Sequence, residues 1–145
     1  MKLARVIVVA LMAVALGGCL APQNVHMTRV NMRAWSETSN VVYENSDSLS
    51  LRSINIALRY NDNFSATLLP MKIAVTAPDS TRFEEVVEIK INHPRTALTV
   101  ATTETLPYRD SALLSQKGAY VFAFTPLDKV RGVEAIGIEI REITE

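Results

Sequence analysis

The chain has 145 residues, and its 15 basic and 15 acidic side chains leave no formal net charge. This length suits one domain that buries a core without covalent cross-links, and the single cysteine excludes a disulfide within the monomer. The basic residues are scattered among acidic ones and form no stripe, which argues against a nucleic-acid partner.

The first residues have the organisation of a secretory signal peptide. Two basic residues precede an apolar run over residues 6–16, which is shorter than the roughly 20 apolar residues that a transmembrane helix needs. Small residues then lead directly into a cysteine, in the order Leu16-Gly17-Gly18-Cys19. This order is typical of a lipobox, the processing site of bacterial lipoproteins.

The lipobox predicts how the N-terminus is processed. We expect residues 1–18 to be removed as a signal peptide, and Cys19 to become the lipidated amino terminus, with a diacylglycerol on its thiol and an acyl chain such as palmitate on its amino group. Two or three chains anchor a protein stably, since each buried methylene contributes about 0.8 kcal/mol. The alternative is a secreted protein in which a cysteine follows the signal by chance.

Two regions follow the signal peptide. Residues 19–34 show no clear hydrophobic period and are expected to form a lipid-anchored tether. From Trp35 onward, short segments alternate between apolar and polar residues, which is the period of a β-strand. The predicted domain therefore covers residues 35–145.

Turn signals separate these alternating segments at roughly ten-residue spacing. A slip in the apolar phase between Leu51 and Ile54 predicts a bulge near Arg52 and Ser53, and residues 106–116 are predicted as a short strand or an irregular crossing. Strands are predicted over residues 40–44, 49–51, 54–60, 69–75, 83–91, 98–102, 118–124 and 133–143. Seven or eight short antiparallel strands indicate an all-β domain, a single β-sandwich or jelly roll.

The polar residues form no recognisable catalytic or metal-binding pattern. His26 and His93 lie far apart, belong to no ligand-spaced pair and are interpreted as solvated. Glu84, Glu85 and Glu88 suggest an acid/base pair, but a solvated strand face is the simpler account, with Glu85 on the face opposite the other two. We therefore predict no catalytic, cofactor-binding or metal-binding residue and no enzymatic activity.

The aromatic residues divide into two groups. Alternation at period two predicts that Tyr120, Phe122 and Phe124 belong to the core. The sequence leaves open whether a second set lies in the core or forms an exposed platform on which carbohydrate rings stack: Trp35, Tyr43, Tyr60 and Tyr108.

Several segments resemble one family of lipoproteins. The run Leu58-Arg59-Tyr60-Asn61-Asp62-Asn63-Phe64 and the following residues 68–73 resemble the paired segments of the gliding-motility-associated lipoproteins of the GldH family. Residues 117–122 (Lys117-Gly118-Ala119-Tyr120-Val121-Phe122) resemble the Gly-x-Tyr-x-Phe strand of that family, and residues 130–140 resemble its last strand. Trp35 and the lipobox also occupy corresponding places, so the resemblance covers nearly the whole mature chain.

The resemblance implies a non-enzymatic outer-membrane lipoprotein of the Bacteroidota that supports gliding motility and the secretion machinery tied to it. Its implied partners are the membrane and other envelope proteins. Residues 20–24 contain neither an acidic run for surface export nor an aspartate directly after Cys19, so the periplasmic face of the outer membrane is the expected location. The alternative function is a carbohydrate-binding β-sandwich module anchored at the cell envelope.

Overall fold

The computed structural model describes residues 24–94 and 100–144, which form two four-stranded antiparallel sheets. The strands are β1 (Val25–Arg29), β2 (Ser39–Asn45), β3 (Leu51–Asn61), β4 (Leu68–Thr76), β5 (Arg82–Lys90), β6 (Ala101–Leu113), β7 (Gly118–Pro126) and β8 (Val133–Glu142). Sheet 1 has the order β1-β8-β3-β6 and sheet 2 the order β2-β7-β4-β5. The predicted β-sandwich is confirmed.

The strands pair in a nested order. β1 pairs with β8, β2 with β7, β3 with β6 and β4 with β5, all antiparallel. This is the order of a jelly roll, in which one long hairpin is wrapped around a core. Further pairing of β3 with β8 and of β4 with β7 completes the two sheets.

Because neighbouring strands are antiparallel, every connection lies at one of two ends. We call the end at which β1 begins the proximal end; it also holds residues 46–50, 77–81, 114–117 and 143–144. The distal end holds residues 30–38, 62–67 and 127–132 and the described parts of the connection from β5 to β6.

The core lies between the two sheets. Tyr120, Phe122 and Phe124 are buried on β7, as the sequence predicts. From sheet 1 they meet alternating apolar residues, which include Ile54, Ile56, Leu58, Ile136, Ile138 and Ile140. Each such side chain contributes about 1.5–3 kcal/mol when it is fully buried, so alternation on the central strands supplies most of the driving force for this fold.

One strand of sheet 1 lies where the sequence predicts a tether. The prediction of a tether over residues 19–34 is wrong for Val25–Arg29, which form β1 on the edge of the sheet. β1 was missed because four of its five side chains are half-buried, so neither face of the strand stands out as apolar. Gly137 of β8 makes room for it: a Cβ there would lie 1.9 Å from the carbonyl oxygen of His26. Residues 19–23 lie outside the described residues.

The predicted bulge near Arg52 belongs to the neighbouring strand. The pairing of β3 with β6 shifts register between Arg52 and Ile54 and again before Asn55, and each shift places the extra residue on β6. β3 itself keeps its phase, since Arg52 points inward with Ile54 while Leu51 points outward. The apparent slip in the apolar alternation therefore arises because Arg52 occupies a buried position, and not because a residue is inserted into β3.

The sequence divides β6 incorrectly. The predicted strand over residues 98–102 and the uncertain segment over residues 106–116 together correspond to one strand of 13 residues. Leu98 and Thr99 lie outside the described residues. Bulges and Pro107 break the alternation of this edge strand, which explains why the sequence shows no single period there.

Candidate functional site

The polypeptide enters sheet 1 close to the predicted lipidation site. Cys19 lies outside the described residues, but the carbonyl oxygen of Asn24 already accepts a hydrogen bond from the backbone N–H of Ile140 at 2.9 Å. Only five Cα–Cα steps separate Cys19 from Asn24, a reach of at most about 18 Å. Any group attached to Cys19 is therefore held within that distance of the proximal end.

A polar cluster occupies the inside of the proximal end. Arg52 is 7% exposed and donates hydrogen bonds to the hydroxyl of Tyr43 and, at 3.0 Å, to the backbone oxygen of Asp47. Asn45 donates to the backbone oxygens of Leu114 and Gln116 at 2.9 and 2.7 Å. Among the described residues, Arg52 Nε and Asn45 Oδ1 are buried without a hydrogen-bond partner. The hydrogen-bonding capacity of the buried polar groups at this end is therefore only partly used.

The two histidines are not freely solvated, and that interpretation is wrong. His26 is half-buried on β1 and contacts the ring of Tyr43 edge-on, with centroids 5.4 Å apart. His93 is half-buried at the distal end, where Nε2 lies 2.6 Å from the backbone oxygen of Ala66. Its ring centroid is 5.2 Å from that of Tyr60. Across residues 24–94 and 100–144, no three acidic, histidine or cysteine side chains meet in an arrangement that could hold a metal ion.

The acidic residues of β5 divide as predicted between two faces, with different environments. Glu84 and Glu88 are exposed, and the hydrogen bond from Arg82, reinforced by the nearby charge of Lys72, holds the pKa of the Glu84 carboxyl below its usual range. Glu85 faces the gap between β5 and β6, so its interpretation as a solvated residue is wrong.

Glu85 joins the two sheets across their open side. It accepts hydrogen bonds from the hydroxyl of Tyr108, at 2.5 Å, and from the guanidinium of Arg109. Burial raises the pKa of the Tyr108 hydroxyl, and the hydrogen bond to Glu85 raises it further. A cavity of about 280 Å³ opens between the two edge strands here, with Ile56 and Ile89 among its lining residues. This side of the sandwich is therefore bridged by polar contacts and remains open to the core.

The four aromatic residues left open by the sequence are all at least half-buried. Trp35 is 1% exposed, and its indole N–H donates to the backbone oxygen of Glu37 and to Ser39 Oγ. Tyr60 is buried, whereas Tyr43 and Tyr108 are half-buried beside arginines. These four residues do not form an exposed stacking platform.

A buried carboxylate at the distal end was not identified from the sequence. Glu104 accepts hydrogen bonds from the hydroxyl of Tyr60 at 2.7 Å and from the backbone N–H of Asn92 at 2.8 Å. Burial raises the pKa of the Tyr60 hydroxyl, and the hydrogen bond and charge of Glu104 add to the effect. The sequence offers one indication of this burial: Glu104 lies two residues before Leu106, so the two side chains point to the same face of β6.

Two further cavities lie on the surface. One, of about 310 Å³, lies at the distal end between residues 63–70 and 128–131. The other, of about 440 Å³, lies over Ala135 on the outer face of sheet 1, where Arg59 and Glu134 form an ion pair of 3.3 Å. Buried residues such as Phe64, Leu69 and Ala135 take part in their linings, and among the described residues neither cavity brings together a set of catalytic side chains.

Comparison with known proteins finds no family that matches this chain, and no curated protein matches it either. Within the part of the chain that the structure describes, no helix is long and apolar enough to cross a membrane.

Proposed function

We propose that this protein is a non-enzymatic lipoprotein of the outer membrane, an accessory or structural component of an envelope protein complex. In this it resembles the gliding-motility-associated lipoproteins, and its place is the periplasmic face. The observation that carries the proposal is the start of β1 at Val25, six positions after Cys19. A lipid on Cys19 holds the folded domain within about 18 Å of its attachment point.

Such a protein works by being held close to its membrane partners rather than by catalysing a reaction. Confinement to a membrane raises the effective concentration of the domain near its membrane partners, so a modest contact surface is enough for stable association. The short reach between Cys19 and Asn24 strengthens this effect, because it removes most of the volume that a long tether would let the domain explore.

The free edge of sheet 2 provides a surface suited to a protein partner. β5 pairs in continuous register with β4 on one side, from Thr76 with Arg82 to Leu68 with Lys90. Its other edge faces the gap towards β6, and Val86 on it is 59% exposed. Proline and bulges interrupt β6 but not β5, and such interruptions normally protect an edge from pairing. An extended segment of a partner fits against β5 as an added strand.

The anchor is tested by replacing the lipidated residue. In the variant Cys19→Ala we expect the same circular dichroism spectrum and thermal midpoint as in the unmodified chain, together with loss of the protein from the membrane fraction. Retention of the variant in that fraction after a high-salt wash would refute the lipid anchor.

The partner surface is tested by photo-crosslinking in membranes of the native host. A photoreactive residue at Val86 should capture envelope proteins, whereas the same residue at Thr103, which is exposed on the outer face of sheet 1, should capture far less. Equal capture at the two positions would contradict a role for the β5 edge. Recovery of polysaccharide or glycan-uptake proteins instead would replace the accessory function with the carbohydrate-binding one.

A further inference from the structure

Four large apolar side chains lie exposed together at the proximal end. Leu51 and Leu113 are partners in the register of β3 and β6, and the backbone N–H of Ile143 donates to the carbonyl oxygen of Leu51 at 2.9 Å. These three residues therefore form one row across three neighbouring strands of sheet 1, and all three side chains are exposed. Leu49, in the connection just before β3, is 88% exposed. We call these four residues the proximal patch.

The patch lies at the same end as the start of the described chain. Asn24 lies opposite Ile140 on β8, and Ile143 is three residues further along that strand direction, about 10 Å beyond Asn24. The five steps from Asn24 back to Cys19 reach at most about 18 Å. A lipid on Cys19 can therefore enter a bilayer that touches the proximal patch.

We propose that the proximal patch rests on the surface of the lipid bilayer, so that the outer face of sheet 1 at the proximal end is turned towards the membrane beside the anchor. This inference rests on the lipidation of Cys19 in the proposed function. The membrane suits the patch better than a second copy of the chain does, because the patch lies at the proximal end, within the reach of the five steps that lead from Asn24 back to Cys19. The acyl chains of Cys19 supply the attachment, and an adjacent apolar surface adds a second contact that orients the domain.

Charge around the patch predicts how it binds. Both signs are present close to it, since Arg141 and Glu142 directly precede Ile143 and are exposed. Attraction to anionic headgroups is therefore small, and apolar contact must carry the association. We expect the orientation to persist in uncharged vesicles and at high salt, where exposed charges are screened.

Seating on the patch fixes which surfaces face away from the membrane. The patch belongs to sheet 1, whereas β5 is the edge strand of sheet 2 on the other side of the sandwich. The edge proposed for partner binding is thus left accessible to other proteins of the envelope.

The test places an environment-sensitive nitrobenzoxadiazole dye at single positions of the full lipidated chain. Lipidation consumes the thiol of Cys19, so Leu49→Cys offers the only reactive thiol. The protein is reconstituted in phosphatidylcholine vesicles, with and without lipid that carries a doxyl quencher near the headgroup. We expect a blue-shifted emission for the dye at position 49, and quenching at least about twofold stronger there than at two control positions.

The controls separate seating on the patch from mere closeness to the anchor. Lys117→Cys places the dye at the same end but beside sheet 2, and Leu127→Cys places it at the distal end on another exposed apolar residue. Equal quenching at positions 49 and 117 overturns the proposal, since the domain then hangs without a fixed face. A blue shift at position 49 without quenching by lipid also overturns it, because another protein surface then covers the patch.

Failure of the anchor gives a different result from failure of the patch. Without lipidation, the labelled protein does not float with the vesicles and Cys19 also reacts with the dye, which rejects the proposed function. Flotation with unquenched dye at position 49 rejects only the patch.

Discussion

The two ends of the sandwich complete the core in opposite ways. At the distal end, Trp35 is buried and bridges to Val130 through two backbone hydrogen bonds of 2.8 and 2.9 Å. At the proximal end, leucines project outward while Arg52 points inward with one nitrogen unpartnered. The distal end is thus covered by the apolar packing of Trp35, whereas the proximal end combines exposed leucines with a buried polar cluster.

Local backbone geometry supports the closure of the distal end. Gly132 has a φ of +91°, and a Cβ there would lie 2.3 Å from the backbone nitrogen of Phe64. Its own N–H donates to the carbonyl oxygen of Met32, and its carbonyl oxygen accepts from the N–H of Asn61. Three connections are thereby joined at one residue that only glycine fits without strain.

The largest effect is expected from opening the distal end. Trp35→Ala removes a fully buried indole and should lower the free energy of unfolding by about 3–5 kcal/mol. Urea denaturation measures this free energy. The control is Phe83→Ala, which truncates a half-exposed aromatic residue and should change the free energy of unfolding by no more than about 0.5 kcal/mol. If both variants lose the same stability, the distal end is not the closed part of the core.

A smaller effect is expected from the hydrogen bond between Tyr60 and Glu104. Tyr60→Phe removes a hydrogen bond to a carboxylate in a buried site, which should lower the free energy of unfolding by about 1.5–3 kcal/mol at neutral pH. The loss is moderated because Glu104 keeps its hydrogen bond from the N–H of Asn92.

The same pair predicts a dependence on alkaline pH. Since the pKa of Tyr60 is raised in the folded state, its contribution is fully present below the unfolded value near 10 and decreases as the pH rises above it. Denaturation in steps from about pH 8 to pH 11 should show a steeper loss for the unmodified protein than for Tyr60→Phe. The pKa of Tyr108 is raised as well, so Tyr108→Phe should also reduce the alkaline loss, and the double variant Tyr60→Phe/Tyr108→Phe should show the shallowest profile. Parallel pH profiles for the unmodified chain and Tyr60→Phe would contradict the pairing.

The sequence predicts the strands best where the two faces of a strand carry different kinds of side chain. On β7 and β8 the largest apolar side chains, such as Phe122 and Ile138, recur at every second residue on the face that meets the core, and the fold class follows. β1 lacks this contrast because both of its faces are half-buried. β1 lies at the edge of sheet 1, and the local sequence does not encode this position. The folded domain therefore begins at an earlier residue than the apolar alternation indicates.

Polar contacts inside the sandwich are harder to predict. Tyr60 and Glu104 are 44 residues apart, and Glu85 and Tyr108 are 23 apart. Their partners depend on which strands become neighbours, and the alternating pattern alone does not state that. The proximal patch needs the same knowledge, since Leu51, Leu113 and Ile143 become one row only through the pairing of three strands.

The smallest effect is expected from the buried charge at the proximal end. Arg52→Met keeps most of the apolar stem and removes an unpartnered Nε, although it also removes the hydrogen bonds to Tyr43 and Asp47. Removing one partner of a buried ion pair is strongly destabilising when it leaves the other charge buried, but Asp47, which lies 4.0 Å from the guanidinium of Arg52, has a side chain that is 40% exposed and stays solvated. We expect the free energy of unfolding to stay within about 1 kcal/mol of the original value.

Urea denaturation of Arg52→Met beside Trp35→Ala makes this a direct comparison of the two ends. A loss of about 3 kcal/mol or more in Arg52→Met would mean that the arginine stabilises the proximal end as strongly as the indole stabilises the distal one. A near-neutral result would mean that folding depends little on this end. The side chains of the proximal end can then contribute to attachment and orientation at the membrane, while the distal end and the central strands provide the stability of the fold.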